Sequence, residues 1–140
     1  MTIQTVTHLN FRGEAREALG FYQSVFGGRL SLFTFADAQA VTDQAEADQV
    51  IWGEVASDDG FHVMAMDVPS ARDWDPGKIP VFVSVRGGDA DRIKAYWDGL
   101  SNDATIIQPL GPASFSPLYG MLRDKFGVTW VVDVRMGAIS

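Results

Sequence analysis

One pattern occurs twice in this chain, and the repeat restricts the possible folds more than any other feature. Residues 51–60 read IWGEVASDDG and residues 118–127 read LYGMLRDKFG. Both run from an apolar and an aromatic residue through glycine to a charged turn that ends in glycine. Aligning Gly60 with Gly127 gives an offset of 127 − 60 = 67 residues. An apolar strand, a short turn with glycine and a second apolar strand are typical of a β-hairpin, so each copy predicts one hairpin.

A second similarity lies upstream of each hairpin. FRGEAREALGFYQSVFGG begins at residue 11 and VRGGDADRIKAYWDGLSN at residue 85, which is an offset of 85 − 11 = 74 residues. Apolar side chains recur in both segments with the spacing of an amphipathic helix. The two offsets differ by 74 − 67 = 7 residues, which one insertion within the Ala- and Gln-rich segment 36–50 would explain. The helical stripes are Ala15, Ala18, Leu19, Tyr22 and Phe26 in the first copy, and Ile93, Tyr96, Trp97 and Leu100 in the second.

Together the alignments predict an α+β fold of two modules, each with the order strand, helix, strand, strand, strand. The modules are expected at about residues 3–68 and 79–136 of a single domain. The segment between them, PSARDWDPGK at residues 69–78, has two prolines and a glycine and predicts an exposed linker. A helix covers one face of each small sheet and leaves the other face free. Two such sheets side by side would form a cupped mixed sheet with both helices outside.

The expected elements follow from the apolar runs. In the first module we expect strands at 3–11, 29–35, 50–57 and 61–68 and a helix at 13–26; in the second we expect strands at 79–85, 104–110, 118–124 and 128–134 and a helix at 88–100.

Composition limits the class of partner. The chain has 140 residues, 46% of them apolar, which is enough for a globular domain with a sizeable core. No apolar run approaches the ~20 residues of a membrane helix, and the N-terminal segment lacks the pattern of a secretion signal. The absence of cysteine excludes disulfides and thiolate ligands and fits a cytoplasmic location. A net charge of −7 without a basic stripe argues against nucleic acid. These features favour a small molecule as the partner, and neither nucleic acid nor membrane.

Two stretches carry a resemblance to a known family. HLNFRGEAREALGFYQSVFGG, starting at residue 8, resembles the opening of the PhnB-like branch of the vicinal oxygen chelate superfamily, and YGMLRDKFGVTWVVDV, starting at residue 119, resembles its closing segment. This superfamily includes glyoxalase I, extradiol dioxygenases and bleomycin resistance proteins. The resemblance covers about residues 5–135 and implies the glyoxalase/bleomycin resistance fold of tandem βαβββ modules.

The resemblance also implies a divalent metal inside the cup, held by His or Glu on the first and last strand of each module and acting as a Lewis acid. Of the four positions it implies, only His8 has a side chain suited to the task. The other three fall on Met64, Val131 and either Pro80 or Phe82. We therefore predict no resident metal or other cofactor. The alternative is a rearranged metal site in which His62, with Glu54 or Asp133, joins His8, and such a site needs ~3 convergent ligands.

The candidate ligand-binding residues are those expected on the free faces of the sheets or at the strand ends. Trp52 and Tyr119 fit core packing equally well, and Arg12 fits either contact with an anionic ligand or solvation at a strand end. Trp130 is expected in the core with Val128 and Val132. The full set is His8, Asn10, Arg12, Trp52, His62, Met64, Phe82, Tyr119, Thr129 and Asp133.

Three functions remain open at the level of sequence. The first is a PhnB-like protein that holds a small apolar or cationic molecule without the usual metal. The second is a metal-dependent lyase, isomerase or dioxygenase built around His8 and His62, and the third is a structural or regulatory protein with an empty cup. No nucleophile–base–acid set, phosphate loop or dinucleotide motif is visible. Unpaired sheet edges predict a homodimer.

Overall fold

A computed structural model describes residues 3–135 of the chain. The chain divides into two compact units, with the boundary between Gly77 and Lys78. We call residues 3–77 unit 1 and residues 78–135 unit 2. Each unit contains one four-stranded mixed sheet and one helix, in the order strand, helix, strand, strand, strand. The predicted α+β fold of tandem βαβββ modules is therefore confirmed, while the predicted cup concerns the placement of the two sheets and stays a prediction.

Unit 1 begins with a strand that pairs with the last strand of the same unit. Its sheet has the order β1-β4-β3-β2, in which β1 and β4 are parallel and the other neighbours antiparallel. A short 3-10 turn at Gln44–Glu46 lies in the predicted insertion. The elements are β1 Thr7–Phe11, α1 Ala15–Phe26, β2 Arg29–Thr34, β3 Val50–Ala56 and β4 His62–Asp67.

Unit 2 repeats this arrangement. Its sheet has the order β5-β8-β7-β6, with β5 and β8 parallel and the other neighbours antiparallel. The elements are β5 Val83–Gly87, α2 Ala90–Leu100, β6 Thr105–Ala113, β7 Ser116–Arg123 and β8 Thr129–Val134.

Each helix packs on one face of the sheet in its own unit. All five residues of the predicted α1 stripe are buried, and in α2 Ile93, Trp97 and Leu100 are buried. Across from them, the inward positions of the strands carry apolar side chains, such as Leu9, Val63 and Val132. Trp130 is fully buried on β8, as predicted for the core. We call the opposite face of each sheet its helix-free face.

The first strand of each unit is shorter than predicted. Strand β1 begins at Thr7 and β5 at Val83, although the apolar pattern predicted starts at residues 3 and 79. The reason lies in the parallel pairing, because Thr7 pairs with Val63 and Val83 with Trp130, close to the starts of β4 and β8. Residues before Thr7 and Val83 therefore have almost no residues of β4 or β8 with which to form backbone hydrogen bonds. In addition, Pro80 has no amide hydrogen to donate.

The hairpin of β6 and β7 is longer than predicted. The segment GPASFSP, expected to lie outside the strands, instead forms the end of β6 at Ala113 and the start of β7 at Ser116. The pairing shifts register three times along β6, which accommodates its prolines. Ser116 is fully buried, and its hydroxyl donates to Val134 O at 2.7 Å and accepts from the Leu118 amide at 3.2 Å. This serine fixes the start of β7 against the end of β8.

Candidate functional site

The helix-free face of unit 1 brings together polar side chains from three neighbouring strands. His8 on β1 pairs with Met64 on β4, and Met64 pairs with Glu54 on β3. Because side chains alternate along a strand, Asn10 and His62 share the face of this row. The predicted placement of His8 and Asn10 opposite to the buried Leu9 is thus confirmed by the register.

A histidine–carboxylate pair is the most specific feature of this face. Nε2 of His62 meets a carboxylate oxygen of Glu54 in a short contact, and the two side chains are 25% and 28% exposed. His62 lies directly across from Ala56, one alternation step from Glu54, so the contact is diagonal across the antiparallel pair. Among the described residues the imidazole of His62 has a side-chain partner at Nε2, and its Nδ1 can form one further hydrogen bond. The sequence suggested both residues as candidates but did not predict that they touch.

Apolar side chains flank the pair. Met64 separates His8 from Glu54 in the cross-strand row. Trp52 lies two residues from Glu54 and therefore on the same face, half-buried, where its ring meets that of Phe33 with centroids 6.0 Å apart. Trp52 therefore does not lie on the α1 side of the sheet, and its role as a ligand-binding residue stays a prediction. The face thus combines one ion pair with a flexible thioether and a large ring.

The helix-free face of unit 2 carries a different polar group. Arg86 on β5 pairs in register with Asp133 on β8, and Asp133 pairs with Tyr119 on β7. Nε of Arg86 donates to both carboxylate oxygens of Asp133, at 3.1 and 3.3 Å. Thr129 lies on the same face and is 3% exposed. Tyr119 is held by an edge contact with Phe115, with ring centroids 4.9 Å apart and an interplanar angle of 81°.

The sequence did not indicate Arg86 as a site residue, because the alignment of the two repeat copies paired it with Arg12. The strand register instead makes Arg86 the counterpart of Asn10, since Asn10 pairs with Met66 and Arg86 with Asp133. One signal in the sequence could have found it. Asp133 was expected on the free face of an apolar strand, and a carboxylate there needs a cationic partner close by.

Arg12 has contacts of its own in unit 1. Its Nη2 donates to the carbonyl oxygens of Pro69, at 3.4 Å, and of Arg72, and its guanidinium lies 5.5 Å from the centroid of the Trp74 ring. These contacts hold the segment that follows β4 against the end of β1. Contact between Arg12 and an anionic ligand stays a prediction.

The residues at the implied metal positions do not fit a metal ion. The register identifies the four positions as His8 and Met64 in unit 1 and Ser84 and Val131 in unit 2. The assignment of the third position to Pro80 or Phe82 is wrong, because both precede β5 and Ser84 is the residue that pairs with Val131. Among residues 3–135, no group of three or more His, Asp or Glu side chains is arranged to hold a metal ion.

The fold places the chain in a class of known structures. Solved structures that match the chain over nearly its whole length include a glyoxalase-family protein from Bacillus cereus, at 13% identity and a TM-score of 0.64, covering 98% of this chain and 96% of that one. A member of the glyoxalase/bleomycin resistance protein/dioxygenase superfamily from Sphaerobacter thermophilus matches at 16% identity and a TM-score of 0.57, covering 96% and 100%. At these identities the likeness concerns the fold, which is that of the glyoxalase/bleomycin resistance superfamily.

A family model narrows the assignment. Residues 3–133 match the model described as 3-demethylubiquinone-9 3-methyltransferase, and the chain belongs to this PhnB-like family. Protein PA1353 from Pseudomonas aeruginosa is similar at 26% identity and a TM-score of 0.83, covering 96% of this chain and 98% of that one. A Bacillus cereus PhnB protein, described as a putative 3-demethylubiquinone-9 3-methyltransferase, is similar at 25% identity and a TM-score of 0.69, covering 94% and 99%. None of the curated proteins matches the sequence.

Within the described residues, no helix is long and apolar enough to cross a membrane.

Proposed function

We propose that the protein binds a small organic molecule on the helix-free face of unit 1, with the His62–Glu54 pair as its polar anchor. The observation that carries the proposal is the contact between these two side chains, which stand in a half-buried position beside apolar ones. Pockets for small molecules combine an apolar wall with a few polar groups that fix orientation. Met64 and Trp52 supply the wall, and the pair supplies the anchor.

The charge of the face favours a ligand with a cationic or hydrogen-donating group. Glu54 has a second carboxylate oxygen that can accept a hydrogen bond while the first holds His62. Trp52 presents a ring face that attracts cations, and the net charge of −7 raises the local concentration of positively charged molecules. Methionine adapts its shape to different apolar bodies, which fits a protein that accepts a range of related ligands.

A thermal-shift screen tests the proposal. Wild-type protein is challenged with three groups of compounds, namely cationic aromatic compounds, catechols and small dicarbonyls, and each hit is repeated with Glu54→Gln. We expect a hit among the cationic aromatic compounds, because a ligand that binds only the native state stabilises it by an amount that rises with the ratio of ligand concentration to Kd. We also expect Glu54→Gln to weaken its binding by about tenfold, the range for one charge-assisted hydrogen bond.

The matched control is Glu17→Gln. Glu17 is exposed on α1, on the other side of the sheet, and its change removes the same charge. Binding that weakens equally in both variants would indicate a general effect of net charge and would contradict a site at His62–Glu54. Failure of all three groups of compounds to bind would also count against the proposal.

We further propose that the protein is a cytoplasmic homodimer. The cysteine-free composition supports the location. Unit 2 carries six large apolar side chains that are 44–64% exposed, and β6 lies at one edge of its sheet. Exposed apolar side chains next to an edge strand favour association with a second copy. The six are Ile79, Val81, Phe82, Ile106, Ile107 and Phe115.

A further inference from the structure

The helix-free face of unit 2 has the elements of a second ligand site, and we infer that it binds the carboxylate of an elongated organic acid through Arg86. This inference goes beyond the function proposed above. It concerns the other sheet, and it assigns a ligand of opposite charge. Either site can fail its test without affecting the other.

The ion pair of unit 2 leaves its cation accessible. Asp133 is the buried member, with its side chain 11% exposed, whereas the Arg86 side chain is 55% exposed. Among residues 3–135, the Asp133 carboxylate is hydrogen-bonded only to Nε of Arg86. In the part of the chain that the structure describes, no other hydrogen bond involves the guanidinium of Arg86. Its two terminal nitrogens therefore form a planar fork, which matches the two oxygens of a carboxylate.

The buried carboxylate also positions the fork. An arginine on a sheet face ordinarily samples many rotamers, and binding a ligand would require fixing them. Asp133 removes part of this cost because it holds Nε in place, and the in-register pairing of the two residues keeps their side chains adjacent. Asp133 is thus a positioning residue, and Arg86 is the residue that would touch the ligand.

The surroundings of the fork predict an apolar ligand body. Tyr119 lies across from Asp133 on β7, and the next positions along the same face are Val131 on β8 and Met121 on β7, which pair with each other. Val131 and Met121 are half-buried and have no charge. A ligand that extends along β8 from Arg86 would therefore contact an aromatic ring and two apolar side chains.

A hydroxyl group without a hydrogen-bond partner among the described residues lies at the far end of this row of side chains. Oγ1 of Thr129 is buried and has no hydrogen-bond partner among the described residues. Thr129 lies four residues before Asp133 on β8 and on the same face, which corresponds to a distance of about 13 Å along the strand. Buried hydroxyl groups almost always have a partner. A ligand with a hydrogen-bonding group at its far end would supply one, so the site fits an acid with a carboxylate, an apolar middle and a polar end.

The ligand is expected to be a carboxylate and not a phosphate. The charge of Arg86 is partly balanced by Asp133, and the chain as a whole carries −7. A dianion would be repelled more strongly than a monoanion by both. The fork itself suits carboxylate and phosphate alike, but the apolar positions beside it can contact the body of an organic acid and do not help to bind inorganic phosphate.

The test is an NMR titration that observes the Nε–Hε resonance of Arg86, assigned by its loss in Arg86→Lys. The probes are acetate, benzoate, 4-(4-hydroxyphenyl)butanoate and inorganic phosphate. We expect saturable shifts of this resonance with affinity rising from acetate to benzoate to the hydroxyphenyl acid. In Arg86→Lys, which keeps the charge but not the fork, affinity measured on backbone amides of β8 should fall about tenfold. Tighter binding of phosphate than of any carboxylate would overturn the assignment.

Two further variants separate this site from general effects. Arg29→Gln removes a cation from an exposed pair with Asp58 in unit 1 and should leave the affinities unchanged. Thr129→Val removes the unpartnered hydroxyl at nearly constant volume; it should weaken only the hydroxyphenyl acid, by about tenfold, and leave benzoate binding unchanged. Equal affinities in wild type and Arg86→Lys, or equal losses for both acids in Thr129→Val, would contradict the proposed site. The melting temperature of each variant without ligand checks that it is folded.

Discussion

Asp67 connects three parts of unit 1 through a buried carboxylate. The residue is 1% exposed at the end of β4. One oxygen accepts hydrogen bonds from the amides of Gly13 and Ala15, at 2.7 and 3.0 Å, and the other accepts from the amide of Val50 at 3.0 Å. The amides of Gly13 and Ala15 lie at the start of α1, where a negative charge is favoured. A side chain distant in sequence therefore caps this helix, while Glu14 at the N-cap position makes no side-chain cap bond.

We expect Asp67→Asn to lower the free energy of unfolding by about 2–3 kcal/mol. The side chain of asparagine has one acceptor oxygen and one NH₂ donor. The NH₂ group would therefore replace one carboxylate oxygen and lie against either the amides at the start of α1 or the Val50 amide, which are themselves donors. A buried donor without a partner costs about 1–3 kcal/mol, and the loss of a charged acceptor adds to this. Chemical denaturation with urea measures the change.

Asp37→Asn is the control for this prediction. The Asp37 carboxylate accepts from the Thr34 amide at 3.0 Å, but in an exposed turn where water can replace it. We expect its effect to stay within about 1 kcal/mol. Similar losses in both variants would show that burial of the Asp67 carboxylate does not matter.

Alternation along strands predicted which residues share a face, but not which of them touch. The placement of His8 and Asn10 on one face, away from Leu9, follows from the sequence because side chains alternate. The contact of His62 with Glu54 depends on the pairing of β3 with β4, in which Ala56 lies across from His62. A shift of one residue in that pairing would move the two side chains to opposite faces. The sequence indicates where the hairpin turns, but the register of β3 against β4 is seen only in the folded sheet.

At the scale of elements, two equivalent glycines let each helix approach its sheet. Gly53 on β3 and Gly120 on β7 are related by the offset of the sequence repeat, and both face the helix of their unit. A methyl group at Gly53 would lie 2.5 Å from Cδ1 of Leu19, and at Gly120 it would lie 2.8 Å from Cζ3 of Trp97. The glycine shared by the two hairpin sequences thus has a packing role in both units.

Gly120→Ala should destabilise the protein by about 1–3 kcal/mol, the usual cost of overpacking a core. The methyl group would press on the rigid indole of Trp97 and on the Cα atom of Leu110, 3.1 Å away, and neither moves easily. Urea denaturation followed by Trp fluorescence measures the loss.

Gly20→Ala provides the comparison. Gly20 lies within α1 with no atom within 4 Å of an added methyl group. This change should stabilise the protein by about 0.5–1 kcal/mol, because alanine favours a helix over glycine. Stabilisation by both changes would contradict the packing role of Gly120.

Helices and hairpins were predictable to within a few residues, and the exceptions have a common cause. Apolar periodicity placed α1 and α2 and five of the strands close to their observed limits. The starts of β1 and β5 were displaced because apolar residues continue beyond the paired region, and the end of β6 was displaced because its pairing with β7 continues beyond the apolar run. Pairing sets these limits, since a strand ends where its neighbour stops offering partners. Ile79, Val81 and Phe82 are apolar and yet lie outside β5, 49–64% exposed.

At the scale of the whole molecule, we expect the 15.3 kDa chain to sediment as a dimer at micromolar concentration. The physical reason is the set of exposed apolar residues in unit 2, which would be costly to leave in water next to an unpaired strand edge. Analytical ultracentrifugation gives the mass. The double variant Ile106→Lys and Ile107→Lys, on the edge strand β6, should shift the population towards monomer. Its control is Ile3→Lys, which changes an isoleucine in unit 1 that is 97% exposed. A monomeric wild type would contradict the proposed homodimer.

A divalent metal is the cofactor that the superfamily implies. His8 is the one imidazole at the four register positions, and the residues at the other three, Met64, Ser84 and Val131, have none of the imidazole, carboxylate or thiolate groups that hold Zn²⁺, Ni²⁺ or Mn²⁺ in proteins. We therefore expect Zn²⁺, Ni²⁺ and Mn²⁺ each to leave the melting temperature of the untagged protein unchanged, since an ion that binds the native state would raise it. His8→Ala should change the free energy of unfolding by about 0.5 kcal/mol or less, because His8 is exposed. A metal-dependent rise in wild type that His8→Ala abolishes would establish a site at the superfamily position. A rise that survives His8→Ala but not His62→Ala would place a metal on the His62–Glu54 pair and make that pair a catalytic candidate.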